Sequence, residues 1–121
     1  MGLFTKLFSK RTWEPLFCKP ADIFNLIKEC VDINAPLLNL VIEYNSAEHK
    51  IGVTSDYSST RGPFDTVYYC DDAEYSTLEE MQLSCCIDGV LFSEMATVKI
   101  LRDEEVGDPR GNTYFERNGI M

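Results

Sequence analysis

A change of hydrophobic period between residues 20 and 54 constrains this chain more than any other feature. Ile23, Leu26, Ile27, Cys30 and Val31 recur at the spacing of one helix face. Pro20 suits a first helical turn, Asp22 lies where the positive end of the helix dipole favours a carboxylate, and Asn34 with Pro36 ends the run. Over residues 37–44 the period falls to two, placing Leu38, Leu40, Ile42 and Tyr44 on one face of a strand. A polar turn over 45–49 leads to a partner strand at 50–54, so this stretch reads as a hairpin. One apolar helix face and one apolar sheet face are each unstable in water alone, and packing them together resolves both.

The rest of the chain extends the same plan. Residues 55–65, SDYSSTRGPFD, have loop chemistry, and 66–70, TVYYC, are rich in strand formers. Residues 76–86 carry two signals. Ser76 with Glu79, or Thr77 with Glu80, makes a capping box ahead of Leu78, Met81 and Cys85, which predicts a helix. The pair Asp88-Gly89 between apolar runs is instead a hairpin signal that would make 81–87 a strand; the two-residue cap favours the helix. Residues 96–101 read as a late strand with Val98 and Ile100 inward, and the polar tail from Arg102 as irregular structure with one short edge strand at 113–116. The expected fold is therefore α+β: an antiparallel sheet of four to five strands with two main helices packed on it. The expected organisation is a basic amphipathic arm over residues 1–14 and a single domain over 15–121. With 121 residues and 45% apolar content the chain can bury one core.

Charge is unevenly divided. Residues 1–28 carry Lys6, Lys10, Arg11, Lys19 and Lys28 against Glu14 and Asp22, while the remainder carries 18 of the 20 acidic residues and only six basic ones. Such a field repels nucleic acid and anionic lipid and steers cationic partners toward the body, so nucleic acid is not an expected partner. Leu3, Phe4, Leu7 and Phe8 share one face of the arm, which reads as a short helix docked on the domain. No transmembrane segment is expected: the best apolar run, residues 35–42, is broken by Asn39 and falls far short of the ~20 residues a spanning helix needs. Five cysteines, an odd number, and basic residues interrupting the apolar start suggest free thiols in a reducing, cytoplasmic setting.

Catalytic and cofactor signals are sparse, and the chain is read as a non-enzyme without cofactor or metal. His49, the single histidine, falls in the polar turn and reads as an exposed imidazole. Cys85-Cys86 lacks the spacing of a zinc or redox pair and reads as two part-buried apolar thiols. The carboxylates are the stronger candidates. Asp71, Asp72 and Glu74, then Glu79 and Glu80, surround Tyr75, while Asp103, Glu104 and Glu105 form a second cluster. They lack the alternating oxygen ligands of an EF-hand. With Tyr68, Tyr69 and Tyr75 interleaved as aromatic anchors, the acidic runs read as a docking face for a basic protein.

In size, acidity and unprocessed start the chain resembles the small immunity proteins that bacteria pair with toxic nuclease domains of contact-dependent and related polymorphic toxins. The resemblance implies that Asp71, Asp72, Glu74, Glu79 and Glu80, with Tyr75, face the cationic groove of a cognate toxin and block it without chemistry of their own. Two other classes stay open. The carboxylates could serve a metal-dependent enzyme, or the apolar arm could join copies of a homo-oligomeric regulatory subunit.

Overall fold

The computed structural model describes residues 13–56 and 65–120, so most of the arm expected at 1–14 and of the loop expected at 55–65 lies outside the described residues. Within them the chain is α+β, with an antiparallel six-stranded sheet and three helices. The strands are β1 (Leu16–Cys18), β2 (Leu38–Tyr44), β3 (Ala47–Asp56), β4 (Asp65–Cys70), β5 (Ala73–Tyr75) and β8 (Val98–Asp103), arranged in the order β1-β8-β2-β3-β4-β5. A separate ribbon pairs β6 (Cys86–Ile87) with β7 (Val90–Leu91). The helices are α1 (Pro20–Asp32), α2 (Leu78–Ser84) and α3 (Thr113–Arg117). No described helix is long and apolar enough to cross a membrane.

The helix at 20–32 starts and stops where its residues dictate. The Asp22 carboxylate accepts from the Lys19 amide at 2.9 Å, satisfying a donor left over at the helix start. At the other end Asn34 adopts φ 61°, and the amides of Asn34 and Ala35 donate to the carbonyls of Val31 and Cys30. That is a Schellman termination, in which Asn tolerates the left-handed step.

The hairpin is tighter than its sequence suggested. Asn45 and Ser46, at φ 51° and 64°, make a two-residue turn, and His49 lies in β3 opposite Ile42. Two left-handed residues give the turn a twist that matches the strands.

Residues 76–91 satisfy both competing signals, one after the other. Thr77 caps α2 by accepting from the Glu80 amide at 3.1 Å, and Asp88-Gly89 then turns between β6 and β7. The tail corrects the expectation of an edge strand at 113–116: the Asn112 side chain accepts from the Tyr114 amide at 3.1 Å and starts α3, which buries Tyr114 and Phe115. A capping Asn outweighed the strand-forming look of TYFE. The extra strands, β1 and the short β5, are three residues each and too brief for periodicity to reveal.

The core lies on one face of the sheet. Ile23, Phe24, Leu26 and Ile27 of α1 join Leu38, Leu40, Ile42, Ile51, Val53, Val98 and Ile100 in one buried cluster, which Met81, Phe92 and Phe115 complete. The opposite face is polar, and its rows follow from the strand register. Phe17, Lys99, Glu43 and Glu48 form one row; Arg102, Val41 and Lys50 the next; Asn39, Gly52, Tyr69 and Glu74 a third. A bulge between Val41 and Ile42 shifts β8 by one residue, so Asp103 rather than Arg102 comes opposite Leu40.

Candidate functional site

The polar face carries a concavity of about 610 Å³ whose walls include Glu48, Asp71, Asp72 and Lys50 around Tyr69 and Val41. Val41 is fully buried although it belongs to the polar face. Its neighbours in register are Arg102, whose side chain is 13% exposed with its Nε buried, and Lys50, whose side chain is mostly exposed. Both Arg102 terminal nitrogens donate to the Glu48 carboxylate, at 2.8 and 3.3 Å, and Glu104 stands 3.7 Å from its Nε.

Tyr69 is the aromatic centre of this surface. Gly52 lies across from it in β3, where a Cβ would fall 3.1 Å from the phenol oxygen, so the missing side chain makes the room Tyr69 occupies. The phenol donates to the Asn39 side-chain oxygen. Its pKa is raised, by burial first and then by the charges of Glu105, Asp103 and Glu104, so it remains a donor at neutral pH. Glu74 sits directly across the β4–β5 pair. Two acidic runs some thirty residues apart in sequence thus approach one tyrosine: Asp71, Asp72 and Glu74 on one side, and on the other the run of Glu104 and Glu105, tied in by the Glu104 amide, which donates at 2.8 Å to the carbonyl of the same Asn39 that accepts from the phenol.

The members of those runs do different work. Asp71, at φ 52°, accepts from the Lys50 amide at 2.9 Å and from His49 Nδ1 at 2.7 Å, which ties β3 to the β4–β5 turn. His49 is correspondingly drawn in, its side chain 14% exposed, where the sequence suggested an exposed imidazole. Asp103 is 2% exposed, and its carboxylate accepts from the Glu105 amide at 2.9 Å inside a turn closed by paired backbone bonds to Gly107. Burial raises the Asp103 pKa against the opposing pull of its backbone donors. Asp72, Glu74, Glu104 and Glu105 are exposed. Lys50 approaches Glu104 at 4.0 Å, and Lys99 pairs with Glu43 at 3.0 Å.

The remaining expected residues lie elsewhere. Tyr68 and Tyr75 face each other on the core side of the β4–β5 pair and pack against the buried cluster. Glu79 and Glu80 are on α2, where the Glu80 carboxylate accepts from the Ser76 amide at 3.2 Å. Alternation along β4 separates Tyr68 from Tyr69, so the acidic residues divide between two surfaces rather than joining around Tyr75. Sequence reasoning passed over Lys50 and Arg102, and it read His49 as an exposed imidazole. Recognising Asp71-Asp72 as a two-residue hairpin turn would have placed Glu74 beside Tyr69.

Of the cysteines, Cys18, Cys70 and Cys85 are buried and Cys86 is exposed, so the adjacent pair splits between core and solvent. Among the described residues no three His, Cys, Asp or Glu side chains gather as a metal-holding group. No protein-family model, curated protein or solved structure matches the chain.

Proposed function

We propose that this chain is an acidic protein-binding module, an immunity-type inhibitor that covers the basic active-site groove of a cognate toxin domain in the cytoplasm. The observation that carries this reading is the approach of the two acidic runs to Tyr69 on the polar face. Around Tyr69 and its neighbouring rows, Glu43, Glu48, Asp71, Asp72, Glu74, Glu104 and Glu105 outnumber Lys50, Lys99 and Arg102. Arg102 and Lys99 are occupied by Glu48 and Glu43, and Glu104 stands against Lys50 and Arg102, which leaves the excess negative charge on Asp72, Glu74 and Glu105.

This distribution suits inhibition by occlusion. A half-buried tyrosine offers rigid apolar area at low entropic cost, and exposed carboxylates around it steer a cationic groove into register. The inhibitor needs no nucleophile or metal, because a covered groove excludes its substrate.

The test is co-expression with a basic toxin domain encoded beside this chain. A 1:1 complex, restored growth, and an association rate that falls as salt rises are the expected results. Asp72→Lys combined with Glu74→Lys should weaken the complex by about tenfold or more, since close charge pairs couple by ~1.5 kcal/mol upward. Affinity indifferent to both salt and charge reversal would refute the reading.

A further inference from the structure

We propose that the groove between the end of α1 and the β5–α2 turn, on the core side of the sheet, receives one arginine side chain of a protein or peptide ligand. It measures about 280 Å³, and Val31, Tyr68 and Leu78 line it with partly buried apolar surface that packs on the core. Asp32 and Glu79 add a carboxylate each. Pockets that enclose a whole small ligand run from about 300 to 1,000 Å³, so a groove of this size suits a single side chain.

The lining selects a cation. Burial, then Glu79, then Asp32 raise the Tyr68 pKa, which puts both charges close to the phenol and keeps it neutral. Two amides that could draw an anion are already engaged: the Ser76 amide donates to Glu80 at 3.2 Å, and the Glu80 amide to Thr77 at 3.1 Å. Lys28 is on the rim and bonds Asp32 at 2.7 Å, but both side chains are more than half exposed, and a pair of that kind is weak enough for an incoming cation to displace. Arginine fits better than lysine. Its planar, weakly hydrated guanidinium stacks on aromatic rings and forks onto carboxylates, whereas an ammonium is a compact and strongly hydrated charge.

This inference goes beyond the proposed function, because the groove and the Tyr69 surface lie on opposite faces of the sheet. Nitrogen–proton correlation spectra of the full chain, titrated with Nα-acetyl-arginine amide, test it directly. The lysine and citrulline analogues serve as the ammonium and neutral controls. Saturable shifts centred on residues 28–32, 68 and 76–79 are expected, with the lysine analogue about two- to five-fold weaker and the citrulline analogue inactive. Glu79→Gln and Asp32→Asn, both at exposed positions, should each weaken binding by about two-fold or more. Tyr68→Leu should abolish it; if that variant fails to fold, the two surface variants decide. An equal response to citrulline, no saturable shift, or an unchanged response in the double surface variant overturns the proposal. Shifts centred instead on Tyr69, Asp72 and Glu105 overturn the groove while leaving the proposed function standing.

Discussion

Gly52→Ala should be among the most destabilising single-methyl changes this sheet can suffer, and the reason is geometric. A Cβ at Gly52 would fall 1.8 Å from the Leu38 carbonyl oxygen and 2.7 Å from its carbon, in a neighbouring strand. Restoring even a tight 3.0 Å contact requires the two backbones to part by about 1.2 Å, against a normal strand spacing of ~4.8 Å. A flexible side chain could turn aside, but a carbonyl inside a ladder cannot. Overpacking of this kind costs about 1–3 kcal/mol, and each ladder bond lost adds about 1 kcal/mol. The narrowed unfolded ensemble of alanine returns about 0.4–1 kcal/mol. A net loss near 3 kcal/mol follows, which for a domain of this size lowers the Tm by about 10–15 °C. Urea unfolding, followed by backbone dichroism and by the single tryptophan, measures it. Gly111→Ala is the control: its nearest neighbour would be a Val106 methyl at 3.5 Å, an ordinary contact, so that change should be neutral or slightly stabilising. A Gly52→Ala loss below about 1 kcal/mol, or equal losses for both variants, would refute the reasoning.

Three further outcomes follow from single side chains. Asp103 has a folded-state pKa raised above its ordinary 3.8, so the folded protein binds its proton more tightly than the unfolded chain does. Its charged form therefore opposes folding at neutral pH, and the penalty fades as pH falls through the folded pKa toward 3.8. Asp103→Asn should accordingly raise the Tm at pH 7, with the gain shrinking toward pH 4; a gain that grows on acidification would contradict the assignment. Asp71→Ala removes acceptors for His49 and the Lys50 amide and should cost about 1 kcal/mol, discounted because the side chain is 44% exposed, while Asp72→Ala should leave urea unfolding unchanged. Iodoacetamide should alkylate exposed Cys86 first and leave Cys18, whose burial pushes its thiol up to about 12, unmodified in the folded protein; peptide mass mapping reads the order.

How far the sequence reveals this molecule depends on the length of each signal. The helix at 20–32 announces itself because five apolar positions and both ends agree, and Leu38–Tyr44 because its alternation spans a whole strand. Strands β1 and β5 have three residues each and no periodicity to detect, and they exist because β8 and β4 offer edges to pair with. The tail misled for a different reason: Thr113 and Tyr114 look like strand formers, yet the cap one residue earlier decided the outcome. Site residues were harder still. Which acidic runs meet depends on the sheet order, and the neighbourhood of β8 and β2 is a long-range pairing that no local window contains.

Most consequential is that neighbouring carboxylates on this chain divide sharply between holding the fold and facing solvent. Asp71 and Asp72 are adjacent, yet the first secures β3 to a turn while the second is simply exposed. Asp103 and Glu104 are adjacent, yet the first is buried in a turn and the second points to Lys50 and Arg102. Neutralising a whole acidic run would therefore change stability and charge together, and a lost partner would not report on charge alone. Asp72, Glu74 and Glu105 can be reversed singly without removing any fold-holding bond seen among the described residues. Binding that survives all three reversals, in variants whose urea unfolding matches the parent, would mean that the polar face is held negative for solubility rather than for a partner.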